Sequence, residues 1–231
     1  MKIIISPAKE QLAQPYNFNP TNPIFQNKAE ALVSSLKKCN KDKIEKAFKC
    51  SSDIAQNVFN SYQNFNKEVH PALFFFNGLQ YKNIQVQTLK EDEIQFLIEN
   101  LYIADSLYGI LRASDNISHY RLDYKVKVPF FDYNYYKKEL DEFIKEPIIN
   151  LCSKEYSKNL NQDKLFTINF VQDVKGKVKS YSTHTKMIRG KFIKYLAQNK
   201  STSLSVIRKF NIDDYYLIDE NNKEMTFKKI F

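Results

Sequence analysis

Hydrophobic and polar positions alternate most regularly where Tyr120, Leu122, Tyr124, Val126 and Val128 are interleaved with Arg121, Asp123, Lys125 and Lys127. A period of two places the first set on one face of a strand and the second set on the other. Short continuous apolar runs predict buried strands at 2–5, 72–76, 101–104 and 148–151, the first stopped by Ser6-Pro7 and the second by Asn77-Gly78. The runs 165–171 and 178–182 flank Asp173-Val-Lys-Gly-Lys, which predicts a hairpin turning at Gly176. Two further short strands are expected at 215–218 and 225–227.

Between these runs the apolar period lengthens to that of a helix. Asn22-Pro23 supplies a cap and a first-turn proline for a helix to about residue 38, with Ala29, Leu32, Val33 and Leu36 as its stripe. Asn40 caps a second helix (Ile44, Ala47, Phe48), and Ser51 or Ser52 a third (Ile54, Val58, Tyr62, Phe65). Thr88 and Glu91 have capping-box spacing ahead of Ile94, Leu97, Ile98 and Leu101. Helices are also expected at 133–145 and at 185–196, the latter with Ile188, Phe192, Tyr195 and Leu196 on one side. Strands interleaved with helices predict a mixed α/β fold in which helices surround a mixed central sheet. With no repeat or linker, a single domain spanning 1–231 is expected.

Composition adds bounds rather than structure. At 43% hydrophobic and 26% charged residues, the 231-residue chain has the make-up of an ordinary globular protein. Its longest apolar runs are too short to span a membrane or serve as a signal peptide, so a cytoplasmic protein without a membrane partner is expected. Cys39, Cys50 and Cys152 are odd in number and widely spaced, which suits a reducing compartment. A monomer is expected.

Charge changes the picture more. The chain carries a net charge of +9, and the window 174–212 contains no Asp or Glu but ten Lys and Arg residues. An acid-free basic segment on an otherwise balanced chain is the footprint of a polyanion partner. Lys186, Arg189 and Lys191 fall on the predicted helix 185–196 beside Gly190, and Lys175 and Lys177 flank the hairpin glycine. Gly190 inside a helix implies the close approach of a backbone or of a phosphate. Gly109 lies three residues before Arg112 among bulky neighbours, so it implies either a positive φ or a near neighbour. The competing reading of Arg112 and Arg121 is that they pair with surface acids.

No glycine-rich phosphate loop or nucleophile elbow is present, and His70, His119 and His184 lack metal-ligand spacing. No metal or cofactor is expected. Polar residues do gather after apolar runs: Ser6 and Lys9, then Asn150, Ser153 and Glu155, then Arg112. Ligand crevices of α/β sheets form at such strand ends. Two chemistries stay open. One is DNA binding by Lys9, Arg112, Arg121, Lys175, Lys177, Lys186, Arg189, Gly190 and Lys191. The other is an enzyme acting on a nucleic acid, nucleotide or nucleoside. In it Lys9 serves as nucleophile or general base, Asn150 and Glu155 orient the substrate, Asp123 is a further carboxylate and Arg112 holds a phosphate.

Several motifs carry a family resemblance. Ser6-Pro7-Ala8-Lys9 resembles the opening motif of the YaaA family of bacterial peroxide-stress proteins. The run 106–112 (Ser-Leu-Tyr-Gly-Ile-Leu-Arg), with Asp115 and Tyr120-Arg121-Leu122, resembles that family's central motif. The run 150–156 (Asn-Leu-Cys-Ser-Lys-Glu-Tyr), Lys186 with Arg189-Gly190, and Phe227-Lys228-Lys229 resemble three more, in the family's order. Ala113-Ser114, Asp123, Met187-Ile188 and Lys229 depart from the usual residues. The resemblance implies a single mixed α/β domain with a positively charged cleft and a helix-hairpin-helix-like element, placed here at 107–115. It also implies binding of double-stranded or branched DNA with little sequence specificity, and a part in limiting free iron and oxidative DNA damage during peroxide stress. No enzymatic reaction follows from it.

Overall fold

Three consecutive isoleucines set the architecture. Successive strand residues point to opposite faces, so the complete burial of Ile3, Ile4 and Ile5 requires cover on both sides of the sheet. The computed structural model describes residues 1–174 and 176–230. The chain begins with β1 (Lys2–Ile5), α1 (Gln26–Leu36), α2 (Lys41–Phe48), α3 (Ser52–Gln63), β2 (His70–Pro71), α4 (Ala72–Phe75), α5 (Leu79–Ile84) and α6 (Glu91–Asn100). It continues with β3 (Leu101–Asp105), β4 (Gly109–Arg112), β5 (Asn116–Ile117), α7 (Lys137–Phe143), β6 (Ile148–Asn150), α8 (Lys154–Ser157) and β7 (Leu165–Val174). The last elements are β8 (Lys177–Lys179), α9 (Ser182–Gln198), α10 (Leu204–Ile207), β9 (Tyr215–Glu220) and β10 (Glu224–Lys229).

The main sheet is mixed, with strand order β4-β3-β1-β6-β7-β10-β9 and β8 added to β7. β3, β1, β6, β7 and β10 are mutually parallel, whereas β4, β8 and β9 run antiparallel to their neighbours. Numbered by their order in the chain, the five parallel strands lie 2-1-3-4-5 across the sheet. The order reverses between β1 and β6. That junction is a topological switch point, where the connections leave in opposite directions and open a crevice at the carboxyl ends of the strands. Helices surround the sheet, and one hydrophobic cluster draws on residues from Ile3 to Phe227. Among the described residues no helix is long and apolar enough to cross a membrane.

Most of the expected elements form, with shifted ends. Asn40 caps α2 by accepting the Lys43 N–H at 3.0 Å. The hairpin turns at Gly176 with φ +74°. α1 starts at Gln26 instead of Asn22, and α7 covers only the middle of the stretch 133–145. The capping interaction of α6 falls two residues later than the spacing predicts, with Glu93 accepting the Lys90 N–H at 2.9 Å.

Three expectations are corrected. The run 72–76 is not a strand: α4 is a single helical turn, all four of its residues buried, and burial on every side leaves no period to read. The alternating stretch 120–128 is not a continuous strand: it turns at 124–125, where the Val126 N–H donates to the Asp123 carbonyl at 3.1 Å, and Val128 forms an isolated antiparallel bridge with Phe131. Tyr120, Leu122, Tyr124 and Val126 are buried and Lys125 and Lys127 exposed, but Asp123 is buried against the period. The segment 107–115 is not helix-hairpin-helix-like. The Asp105 carboxylate accepts the N–H groups of Leu107 and Tyr108, both at 2.8 Å, and Gly109 adopts φ +73°, which turns β3 back into antiparallel β4.

A candidate anion-binding cleft at the switch point

The carboxyl ends of β1 and β6 are tied together where the order reverses: the Ser6 hydroxyl oxygen accepts the Ser153 N–H at 2.9 Å. Above this tie opens a cleft of about 670 Å³. Its walls come from 6–10, from the start of α5 (Gly78 to Tyr81), from Tyr120 to Asp123 with Lys125, from Ser153 to Tyr156, and from Ser182, Lys186 and Arg189 of α9. α9 reaches the cleft because Gly190 lets it press on α5. A Cβ at this position would lie 2.2 Å from the Gln80 carbonyl oxygen. The close neighbour that a helical glycine implies is therefore a backbone, not a phosphate.

The lining holds six basic residues (Lys9, Arg121, Lys125, Lys154, Lys186, Arg189) and three acidic ones (Glu10, Asp123, Glu155), a formal excess of three positive charges. The Lys9 ammonium lies 2.7 Å from Asp123 Oδ2, and Asp123 Oδ1 accepts the Lys125 N–H at 2.9 Å. Lys125 reaches Glu155 Oε2 at 3.4 Å, and Glu10 pairs with Lys82 on the rim at 3.0 Å. Neither Lys186 nor Arg189 has an acidic partner among the described residues.

Arg189 is the unusual member. Its Nε–H is buried and makes no hydrogen bond. Burial pulls the guanidinium below its ordinary pKa, opposed by the neighbouring Cys152, while burial pushes the Cys152 thiol up to about 12. Glu155 Oε1 and Gln80 Nε2 are likewise buried without a partner. Seven described residues carry such an atom, and three of the seven line this cleft. Each is costly to keep in a folded protein unless a ligand or ordered water completes it.

Beneath the cleft lies a residue that patterning misses. Asp105, at the carboxyl end of β3, is fully buried and bonds the Tyr120 hydroxyl as well as the turn amides. Burial raises its pKa, and these hydrogen bonds oppose the rise. The anchor fixes the segment that starts at Tyr120, which carries Arg121 and Asp123 to the cleft. An acidic residue ending the apolar run Leu-Tyr-Ile-Ala was the available signal.

Of the candidate residues, Lys9, Arg121, Asp123, Glu155, Lys186 and Arg189 come together here. Arg112 does not. Its Nε bonds Asp115 at 2.9 Å and its Nη2 bonds the Asn22 carbonyl at 2.6 Å, away from the cleft lining. Asn150 is buried below the lining, where it donates to the Thr167 hydroxyl at 3.1 Å and accepts the Cys152 N–H at 3.0 Å. Lys191 pairs with Asp213, and Gly190 is buried against α5. Lys175 and the side chain of Lys177 lie outside the described residues. Sequence reading missed Gln80, whose partnerless amide has no signature in the chain.

The sequence matches the family described as "Peroxide stress protein YaaA" over residues 1–221. It is 37% identical to a UPF0246 protein of Finegoldia magna, across 99% of this chain and 98% of that one. It is 33% identical to a UPF0246 protein of Ligilactobacillus salivarius (93% of each chain). A third relative, the UPF0246 protein of Fusobacterium nucleatum, is 31% identical across 100% of this chain and 97% of its own.

Proposed function

The chain belongs to the family of the peroxide stress protein YaaA, and from that premise we propose that it acts in the peroxide response by binding DNA through the switch-point cleft. The observation that carries this reading is Arg189, a guanidinium held in the cleft with a buried donor free and no carboxylate beside it. A planar fork of this kind suits a phosphate oxygen. Lys186 lies one turn earlier on the same helix, and Lys9, Lys125 and Lys154 line the remaining walls. Contacts of this kind fix position on the backbone without reading bases, so sequence preference is weak and affinity falls steeply with salt.

Two lysines of α9 separate the cleft from general surface charge, because Lys186 lines the cleft and Lys191 pairs with Asp213 elsewhere. Binding to a labelled duplex should be measured across a salt series. Lys186→Ala is expected to weaken binding and to lower the slope of log affinity against log salt by about one, whereas Lys191→Ala leaves both unchanged. Equal effects of the two substitutions would contradict the assignment. The 2.7 Å Lys9–Asp123 pair favours a second reading, an enzyme acting on a nucleic acid, nucleotide or nucleoside with these two groups moving a proton. Turnover of oligonucleotide or nucleotide by the same preparation, abolished in Lys9→Ala while binding persists, is the result that selects it. No turnover discards it.

A further inference from the structure

Volume alone does not distinguish the cleft. A second cavity of about 680 Å³, lined by Met1, Pro147, Leu204 and the β9–β10 turn, is as large. None of the seven residues that carry a partnerless buried polar atom lines that second cavity, whereas three of them line the cleft and bring two donors and one acceptor to its wall: Arg189 (Nε), Gln80 (Nε2) and Glu155 (Oε1). A ligand that completes all three carries an anionic or acceptor group for the arginine, a second acceptor for the amide and a hydrogen-bond donor for the carboxylate. A simple anion offers acceptors for the arginine and the amide but, unless protonated, no donor for the carboxylate. The side chains of Tyr81 and Tyr156 add an apolar wall. About 670 Å³ falls within the roughly 300–1,000 Å³ of small-ligand sites and is far too small to enclose a duplex.

We propose that the cleft is a single-nucleotide pocket, with a phosphate on Arg189 and Lys186, and with the sugar or base bonded to Glu155 and Gln80. The inference rests on the reading of the cleft as a nucleic-acid site. It adds that one nucleotide enters while the rest of the DNA stays at the rim. The same chemistry is offered by an extrahelical nucleotide of bound DNA and by a free nucleoside 5′-monophosphate. Extruding a nucleotide costs least where it is already unpaired, so a bulge should be preferred over a fully paired duplex.

The test has two arms at one salt concentration. Calorimetric titration compares 2′-deoxyadenosine 5′-monophosphate with deoxyadenosine and with inorganic phosphate. Fluorescence anisotropy compares a duplex bearing a one-nucleotide bulge with its fully paired counterpart. The monophosphate is expected to bind at least about tenfold more tightly than either fragment, because both ends of the pocket are then filled. Arg189→Lys keeps the charge but loses the fork, and Glu155→Gln alters the opposite wall; each is expected to remove most of that advantage. If Arg189→Lys fails to fold in a thermal melt, Glu155→Gln alone decides. A bulge preference identifies the DNA source, and monophosphate binding without one identifies the free nucleotide. If duplex binding persists but the monophosphate binds no better than its fragments and the bulge no better than the paired duplex, the pocket is overturned and the DNA reading stands. If the monophosphate binds as described while no DNA binds at any salt, the DNA reading fails and the pocket stands.

Discussion

Two arginines near glycines look alike in the sequence and differ entirely in the fold. Gly109 holds φ +73° and faces the Tyr136 ring, which a Cβ would approach to 2.5 Å, so its requirement is steric. Arg112 nearby is committed to Asp115 and to the Asn22 carbonyl. Arg189 has neither kind of partner. What makes it a candidate is an unmet hydrogen bond, a property of its surroundings that no window of sequence displays. Cys152 beside it carries a further consequence. A thiol pushed up to about 12 is almost wholly protonated at neutral pH, and the thiolate is the reactive form. Iodoacetamide at pH 8 is expected to modify the partly exposed Cys39 and Cys50 in the native protein, and Cys152 only after unfolding. Equal labelling of all three would contradict the buried, protonated assignment.

At the scale of elements, the α5–α9 contact determines whether the cleft exists. Gly190→Ala would drive a methyl carbon into the Gln80 carbonyl at 2.2 Å, and the helices must separate to accept it. A loss of about 2–3 kcal/mol of stability in urea unfolding is expected from such overpacking. DNA affinity should fall with it, because Gln80 and Arg189 belong to the two helices that move. Wild-type stability would contradict the close approach. Elements with a one-sided stripe were legible: Ala29, Leu32, Val33 and Leu36 on α1 are all buried, as the period requires. Ala72 to Phe75 was not legible, since a run buried on all sides fits a strand or a helical turn equally. The alternation from Tyr120 to Val126 marked the buried apolar positions and the exposed Lys125, but not the burial of Asp123 or the turn at 124–125. The segment 107–115, expected to be helical from family resemblance, is shaped instead by Asp105 binding the turn amides.

At the scale of the molecule, three of the ten basic residues in the acid-free window 174–212 pair with acids outside it. Lys200 pairs with Asp92, Lys191 with Asp213 and Arg208 with Glu220. Of its described basic side chains, only Lys186 and Arg189 line the cleft. The remaining cleft charges come from strand-end segments, brought together by the 2-1-3-4-5 order of the parallel strands. Polar residues after apolar runs hinted at that convergence, as Lys9 and Glu155 show. The strand order that joins them to α9 is a long-range property that local patterns do not encode. On the proposed function, this cleft, and not the basic window as a whole, would meet DNA. Lysine acetylation read by mass spectrometry, with and without saturating duplex, tests it most directly. Protection is expected at Lys9, Lys125 and Lys186, with Lys191, Lys200 and Lys223 labelled as in the free protein. Protection centred on Lys191 and Lys200, with Lys186 still reactive, would contradict it.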